Sequence, residues 1–207
     1  MIKLYGHPFS PNARKVHWTL EELELPYEYH TIDLTRGEQK SAAFLAINPA
    51  GKVPTLCDGD LTLPESNAIV TYLADTYGRG KIIPEDRQGH AWVLRWLFWQ
   101  AAEGSTALSR PFYIKVVMPM LTQQPVNEAA YEQARSDAAV PLKFLDQALG
   151  SHTYLVGARF SIADIVTGEA ASLAKLAGVD FAPYGNLRRW LEQLATRSAF
   201  QKSRPKL

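Results

Sequence analysis

The sequence predicts an α/β N-terminal domain followed by an all-α C-terminal domain. Three observations carry that expectation. Strand-like and helix-like runs alternate in the order βαβαββα before residue 78, strand signals disappear after Glu85, and the charge balance changes sign between the two stretches. Residues 1–78 hold 6 Lys+Arg and 10 Asp+Glu, a net of −4, whereas residues 79–207 hold 16 and 11, a net of +5. A domain over 1–78, a linker over 79–84 and a helical domain over 85–207 are therefore expected.

Ile2 and Leu4 begin a short strand that Gly6 and Pro8 break. Ser10-Pro11 opens a helix, because Ser is a preferred N-cap and Pro is favoured at the first helical position. Ala13, Val16, Leu20 and Leu23 follow at the spacing of a core-facing stripe. A helix mouth presents unpaired N–H groups, so this one holds a hydroxyl where an anion is favoured. Ser10 can equally be read as the cap alone.

Tyr27, Tyr29 and Thr31 suit a second strand, parallel to the first because the connection is helical. A polar stretch over 33–43 and a helical turn around Ala42–Ile47 come next, ending before Asn48-Pro49. Val53-Pro54 marks a strand entrance or a cis bond. Thr55–Asp58 and Leu61–Leu63, joined by Gly59-Asp60, read as a hairpin. Pro64-Glu65-Ser66 starts a helix through Tyr77 with Ala68, Ile69, Tyr72 and Leu73 as its apolar face. This order describes a thioredoxin-like domain, a mixed four-stranded sheet with helices on both faces.

In the second half, Ala91–Ser109 is a long helix rich in Trp92, Trp96, Phe98 and Trp99, interrupted at Ser109-Arg110-Pro111. Asn127–Leu149 is another, with Pro141 as a kink. Ser161-Ile162-Ala163-Asp164 starts a helix through Lys175, with an acid at the third position as in a capping box. Leu187–Ala195 is helical, and Phe200–Ser203 is short.

The totals exclude several classes. A formal net charge of +1 implies no general attraction to nucleic acid or to a membrane. Cys57 is the only cysteine, which rules out an internal disulfide and a CxxC pair and suits a small buried apolar residue. No signal peptide or long apolar run is visible, so a soluble cytoplasmic protein is expected; no metal site is expected either.

Three stretches are informative together: S-P-N-A-R-K-V from Ser10, F-L-A-I-N-P-A-G-K-V-P-T-L from Phe44, and L-P-E-S-N-A-I from Leu63. In that order, with Phe160-Ser161-Ile162-Ala163-Asp164 in the helical half, the chain resembles the cytosolic glutathione transferases over essentially its whole length. The serine-type, phi- and theta-like classes, with bacterial members among them, are nearest. The resemblance implies that Ser10 activates the thiol of glutathione, and that Val53 offers its backbone N–H and C=O to the cysteinyl part, beside a cis Pro54. It implies that Glu65 and Ser66 hold the γ-glutamyl end, and that Lys52, with Lys40 or Gln39, holds the glycine carboxylate. A histidine often stands where Gln39 is found, which shifts the glycine end toward lysine. Asn12 and Tyr5 are further candidates to assist the thiol. Arg14 reads either as an exposed helical residue or as a structural partner.

The activity implied is conjugation of glutathione to a small hydrophobic electrophile, lined by Phe9, Phe112 and Tyr113, in a homodimer. Alternatives are a glutathione-dependent dehalogenase or isomerase, or a non-catalytic scaffold. A Ser at position 10 disfavours thiol–disulfide exchange, because a hydroxyl forms no mixed disulfide. A missing Ser-Ser-Cys stretch counts against the zeta-type isomerases. Retention of Ser10 and Glu65-Ser66, in a chain that ends at Leu207, counts against a scaffold.

Overall fold

The computed structural model describes residues 1–205, except the side chain of Leu121. The last two residues of the expected helical domain, Lys206 and Leu207, lie outside the described residues. Contacts divide the chain into two units, Met1–Ile83 with the segment beginning at Arg197, and Pro84–Thr196.

In the first unit, β1 (Ile2–Gly6), β2 (Tyr27–Thr31), β3 (Thr55–Asp58) and β4 (Leu61–Pro64) form one sheet in the order β2-β1-β3-β4. β1 and β2 run parallel, as the helical crossover requires, and β1-β3 and β3-β4 are antiparallel. The pleat sorts the faces of β1. Ile2, Leu4 and Gly6 are buried, and a Cβ on Gly6 would lie 3.0 Å from Ala13 of α1 (Pro11–Leu23) and 2.8 Å from the Tyr29 hydroxyl. That face therefore packs on α1, and only glycine allows the approach. Tyr5 points the other way, where its ring stacks on His30 at 4.8 Å and meets Phe44 of α2 (Ala42–Ile47) edge-on.

α3 (Ser66–Tyr77) buries Ile69, Val70, Leu73 and Ala74. The expected face was shifted by one residue: Ala68 is exposed and Val70 is buried. Cys57 also departs from expectation, being only half-buried. It stands beside Thr62 on the hairpin, with Sγ 3.5 Å from that hydroxyl. Arg14 and Lys15 are both buried on α1, so Arg14 is not an exposed helical residue.

The chain's C-terminal segment returns to this unit for an electrostatic and packing reason. Arg197 makes a bidentate bridge to Glu22 at 2.6 and 2.7 Å, and Glu22 also accepts from the Trp18 indole at 2.9 Å. Phe200 on α10 (Ser198–Lys202) then packs edge-on against fully buried Trp18. The expected boundary at 79–84 thus leaves this last helix on the wrong side.

The second unit is helical. α4 (Arg87–Trp99), capped by Asp86, α5 (Ser105–Phe112) and α6 (Met118–Thr122) are joined by π-helical turns over Gln100–Gly104 and Tyr113–Val117. The break expected at Ser109-Arg110-Pro111 is absent. Pro111 is buried inside α5, and the wider π turn that follows resets the hydrogen-bond ladder instead of ending it.

α7 (Glu128–Leu149) contains Pro141 and buries a stripe of Tyr131, Ala134, Ala138, Leu142, Leu145 and Leu149. α8 (Ile162–Leu176) is buried almost all round, as a central helix must be. Its capping box is present, and Asp164 accepts from Ser161 N, Leu155 N and the Trp190 indole of α9 (Gly185–Ala195), each at 2.9 Å. Among the described residues no helix is long and apolar enough to cross a membrane.

Candidate functional site

Three segments of the first unit meet at a cavity of about 190 Å³. The first is the mouth of α1. Ser10 caps that helix, its Oγ accepting from Ala13 N at 3.4 Å while its own N–H donates to His7 O at 2.9 Å. Because Oγ acts as an acceptor toward the helix, its proton is left for another acceptor. Asn12, two residues on, lines the cavity.

The second segment is the loop between α2 and β3, which carries Lys52, Val53 and Pro54; the Val53-Pro54 bond is cis. Gly51 in this loop has φ of 58°, and a Cβ there would meet Gln39 O and Lys40 Nζ, each at 2.8 Å. Buried Asn48 holds the loop. Its Oδ1 accepts from Ala50 N at 3.0 Å, and its Nδ2 donates to Lys52 O at 2.8 Å and to Thr55 Oγ1 at 3.0 Å.

The third is the start of α3. Glu65 precedes that helix with φ of 70°, a region that favours glycine, and no side chain caps the helix. The start of α3 thus presents the positive end of the helix dipole toward the cavity that Glu65 and Ser66 line. Buried Ser66 donates from Oγ to Asn12 Oδ1 at 3.4 Å, tying the third segment to the first.

The cavity thus gathers Asn12, Lys52, Val53, Pro54, Glu65 and Ser66 of the residues anticipated from sequence, and adds Asn48, Ala50 and Pro64. Asn48 lies inside the N-P-A-G-K-V-P stretch, so it was visible as part of a motif but carried no role there. Lys40 reaches the rim, its Nζ donating to Ala50 O at 3.4 Å. Gln39 is in the 3-10 turn beside it (Glu38–Lys40), with Oε1 buried and unpartnered. Ser10 is not in the lining but adjoins it through Asn12. Tyr5 is engaged with His30 and Phe44 instead, and Phe9 is exposed. Phe112 ends α5 and Tyr113 starts the following π turn of the second unit, with Tyr113 exposed.

A larger cavity, about 290 Å³, lies in the second unit beside Arg135, Leu142, Asp180 and Tyr184, and holds none of the anticipated residues. Among the described residues no group of three or more His, Cys, Asp or Glu is arranged to hold a metal ion.

Residues 4–81 match the family model for the glutathione S-transferase N-terminal domain, and residues 110–198 match that for the C-terminal domain. Glutathione S-transferase GstB of Escherichia coli is 34% identical over 206 residues, covering 98% of this chain and 97% of the relative. Human glutathione S-transferase theta-1 is 34% identical over 167 residues, covering 80% and 70%. Among solved structures, the theta-class enzyme of Xanthomonas axonopodis pv. citri with glutathione bound superposes with a TM-score of 0.90 at 30% identity, covering 100% of this chain and 98% of that one. Glutathione transferase F7 of Populus trichocarpa gives 0.90 at 28%, covering 98% and 97%. With both domains matched in order and full-length relatives at this identity, the chain belongs to the glutathione S-transferase family.

Proposed function

We propose that this transferase binds glutathione in the 190 Å³ cavity of its first unit and adds the thiolate to a small hydrophobic electrophile. The observation that carries the reading is the convergence of an uncapped helix N-terminus, the Ser66 hydroxyl, the Glu65 carboxylate and Lys52 on one cavity. Glutathione carries an α-carboxylate and an ammonium at one end and a second carboxylate at the other. Ser66 and the α3 N–H groups suit the first carboxylate, Glu65 the ammonium, and Lys52 with Lys40 and Gln39 the glycine end. Val53 offers its backbone to the cysteinyl part as an added strand beside Pro54. The thiol then meets the mouth of α1, where Ser10 donates a hydrogen bond to sulfur, with Asn12 as a secondary candidate.

Residues 1–78 supply the glutathione site in this reading and residues 85–207, with Phe112 and Tyr113, the electrophile side. The working form is a cytoplasmic homodimer acting in detoxification. Titration calorimetry with glutathione tests the core of the reading. Wild type should bind it, and Glu65→Ala and Ser66→Ala should each weaken binding ten- to a hundredfold, as the loss of a charged hydrogen bond worth ~1.5–3 kcal/mol implies. No heat of binding to wild type would overturn the reading.

A further inference from the structure

We propose that Asn48 is a positioning residue for glutathione, acting through the backbone of Lys52 and Val53; the inference rests on the glutathione reading above. Asn48 ends α2 as its C-cap, its N–H donating to Phe44 O at 2.8 Å. It is 3% exposed, and its side-chain amide spends both donors, one on the loop and one on the strand that follows it. One N–H fixes Lys52 O, the other fixes Thr55 Oγ1, and Oδ1 fixes Ala50 N. Thr55 is the first residue of β3 and pairs with Tyr5 and with Pro64, so it is anchored in the sheet.

The amide therefore fastens a loop that has no ladder of its own to a helix end on one side and to a strand on the other. What lies between the two fixed points, at Lys52–Pro54, is the wall of the cavity. The carbonyl that Asn48 holds belongs to the peptide whose nitrogen is that of Val53. Fixing that carbonyl orients the Lys52–Val53 peptide plane, and with it the Val53 N–H. An oriented plane saves the entropy that a free loop would lose on binding the thiol substrate.

The chemistry is specific to an amide. An aspartate at this position offers two acceptors and no donor, so the Lys52 carbonyl would face a carboxylate. The consequence falls on glutathione affinity and not on the thiol, because Ser10 is held by α1, its Oγ accepting from Ala13 N.

The test compares wild type, Asn48→Asp and Thr55→Val by steady-state kinetics with a fixed aromatic chloride and by the ultraviolet titration of bound thiolate. Thr55→Val removes only one acceptor of the Asn48 amide and serves if Asn48→Asp does not fold. The expected results are a KM for glutathione raised at least tenfold in Asn48→Asp and two- to fivefold in Thr55→Val. At saturating glutathione kcat should fall less than twofold, with the bound thiol titrating where it does in wild type. Unchanged KM in a folded Asn48→Asp, or in Thr55→Val where Asn48→Asp does not fold, overturns the proposal, as does a loss confined to kcat with a shifted thiol titration. Failure of wild type itself to bind glutathione overturns the function proposed above instead.

Discussion

Glu65 sits at φ of 70° and ψ of 107°, where a glycine would be comfortable and a glutamate is not. A non-glycine residue held there costs on the order of 1–3 kcal/mol, and such strain collects at ligand sites. The expected outcome is a separation of stability from binding. Glu65→Gly should raise stability over Glu65→Ala by about 1 kcal/mol in urea denaturation, while both lose glutathione affinity alike. Equal stability of the two variants would mean that the backbone there is relaxed. The sequence showed Glu65-Ser66 as a pair by motif, but nothing in a glutamate's neighbours announces a positive φ. Asn48 was hidden for a related reason. Its importance comes from three partners within seven residues, and that closure exists only once the loop has formed.

At the scale of elements, capping chemistry was the most legible feature. Ser10 and the Ser161–Asp164 box, both read as helix starts, stand at the starts of α1 and α8. The run from Arg87 to Thr122 was misread because Pro111 is a helix breaker by local rules, whereas tertiary burial and a following π turn carry it. α8 illustrates what a cap does in a core. Burial pushes the Asp164 carboxyl up to about 6 from 3.8, against the pull of Leu155 N, the Trp190 indole, and Ser161 N and Oγ.

Its folded-state value is raised, so the stability linked to this group is fully present below about pH 3.8 and is lost as pH rises through 6. That difference amounts to about 3 kcal/mol at 1.36 kcal/mol per unit. The stability of wild type minus that of Asp164→Asn should therefore fall by about that much between pH 3.8 and 6.5, and stay level above. A difference that grows over the same interval would show that the donors outweigh the burial.

For the molecule as a whole, the two-part character was legible in the sign change of the charge, −4 against +5. The return of α10 to the first unit was not. It depends on Arg197 finding Glu22, 175 positions away, and no local pattern encodes that pairing. The charge difference also suits pairing of the first part of one copy with the second part of another. Sedimentation at micromolar concentration should give twice the 23.1 kDa mass of the chain, and a monomer would refute the dimer.

In the proposed reaction, catalysis comes down to one thiol. A free thiol has a pKa of about 8.5, so a few per cent is thiolate at neutral pH. In the proposed site a hydroxyl hydrogen bond to the sulfur anion would contribute ~1.5–3 kcal/mol and the α1 N-terminus ~0.3–1 kcal/mol, which together would lower that pKa by roughly two units. The decisive measurement is the ultraviolet titration of thiolate in the glutathione complex of wild type and of Ser10→Ala. The expected result is a bound pKa near 6.5 in wild type and at least one unit higher in Ser10→Ala, with turnover at pH 7 reduced ten- to a hundredfold and recovering as pH rises. An identical pKa in the two proteins would contradict the account and leave Ser10 as the cap of α1.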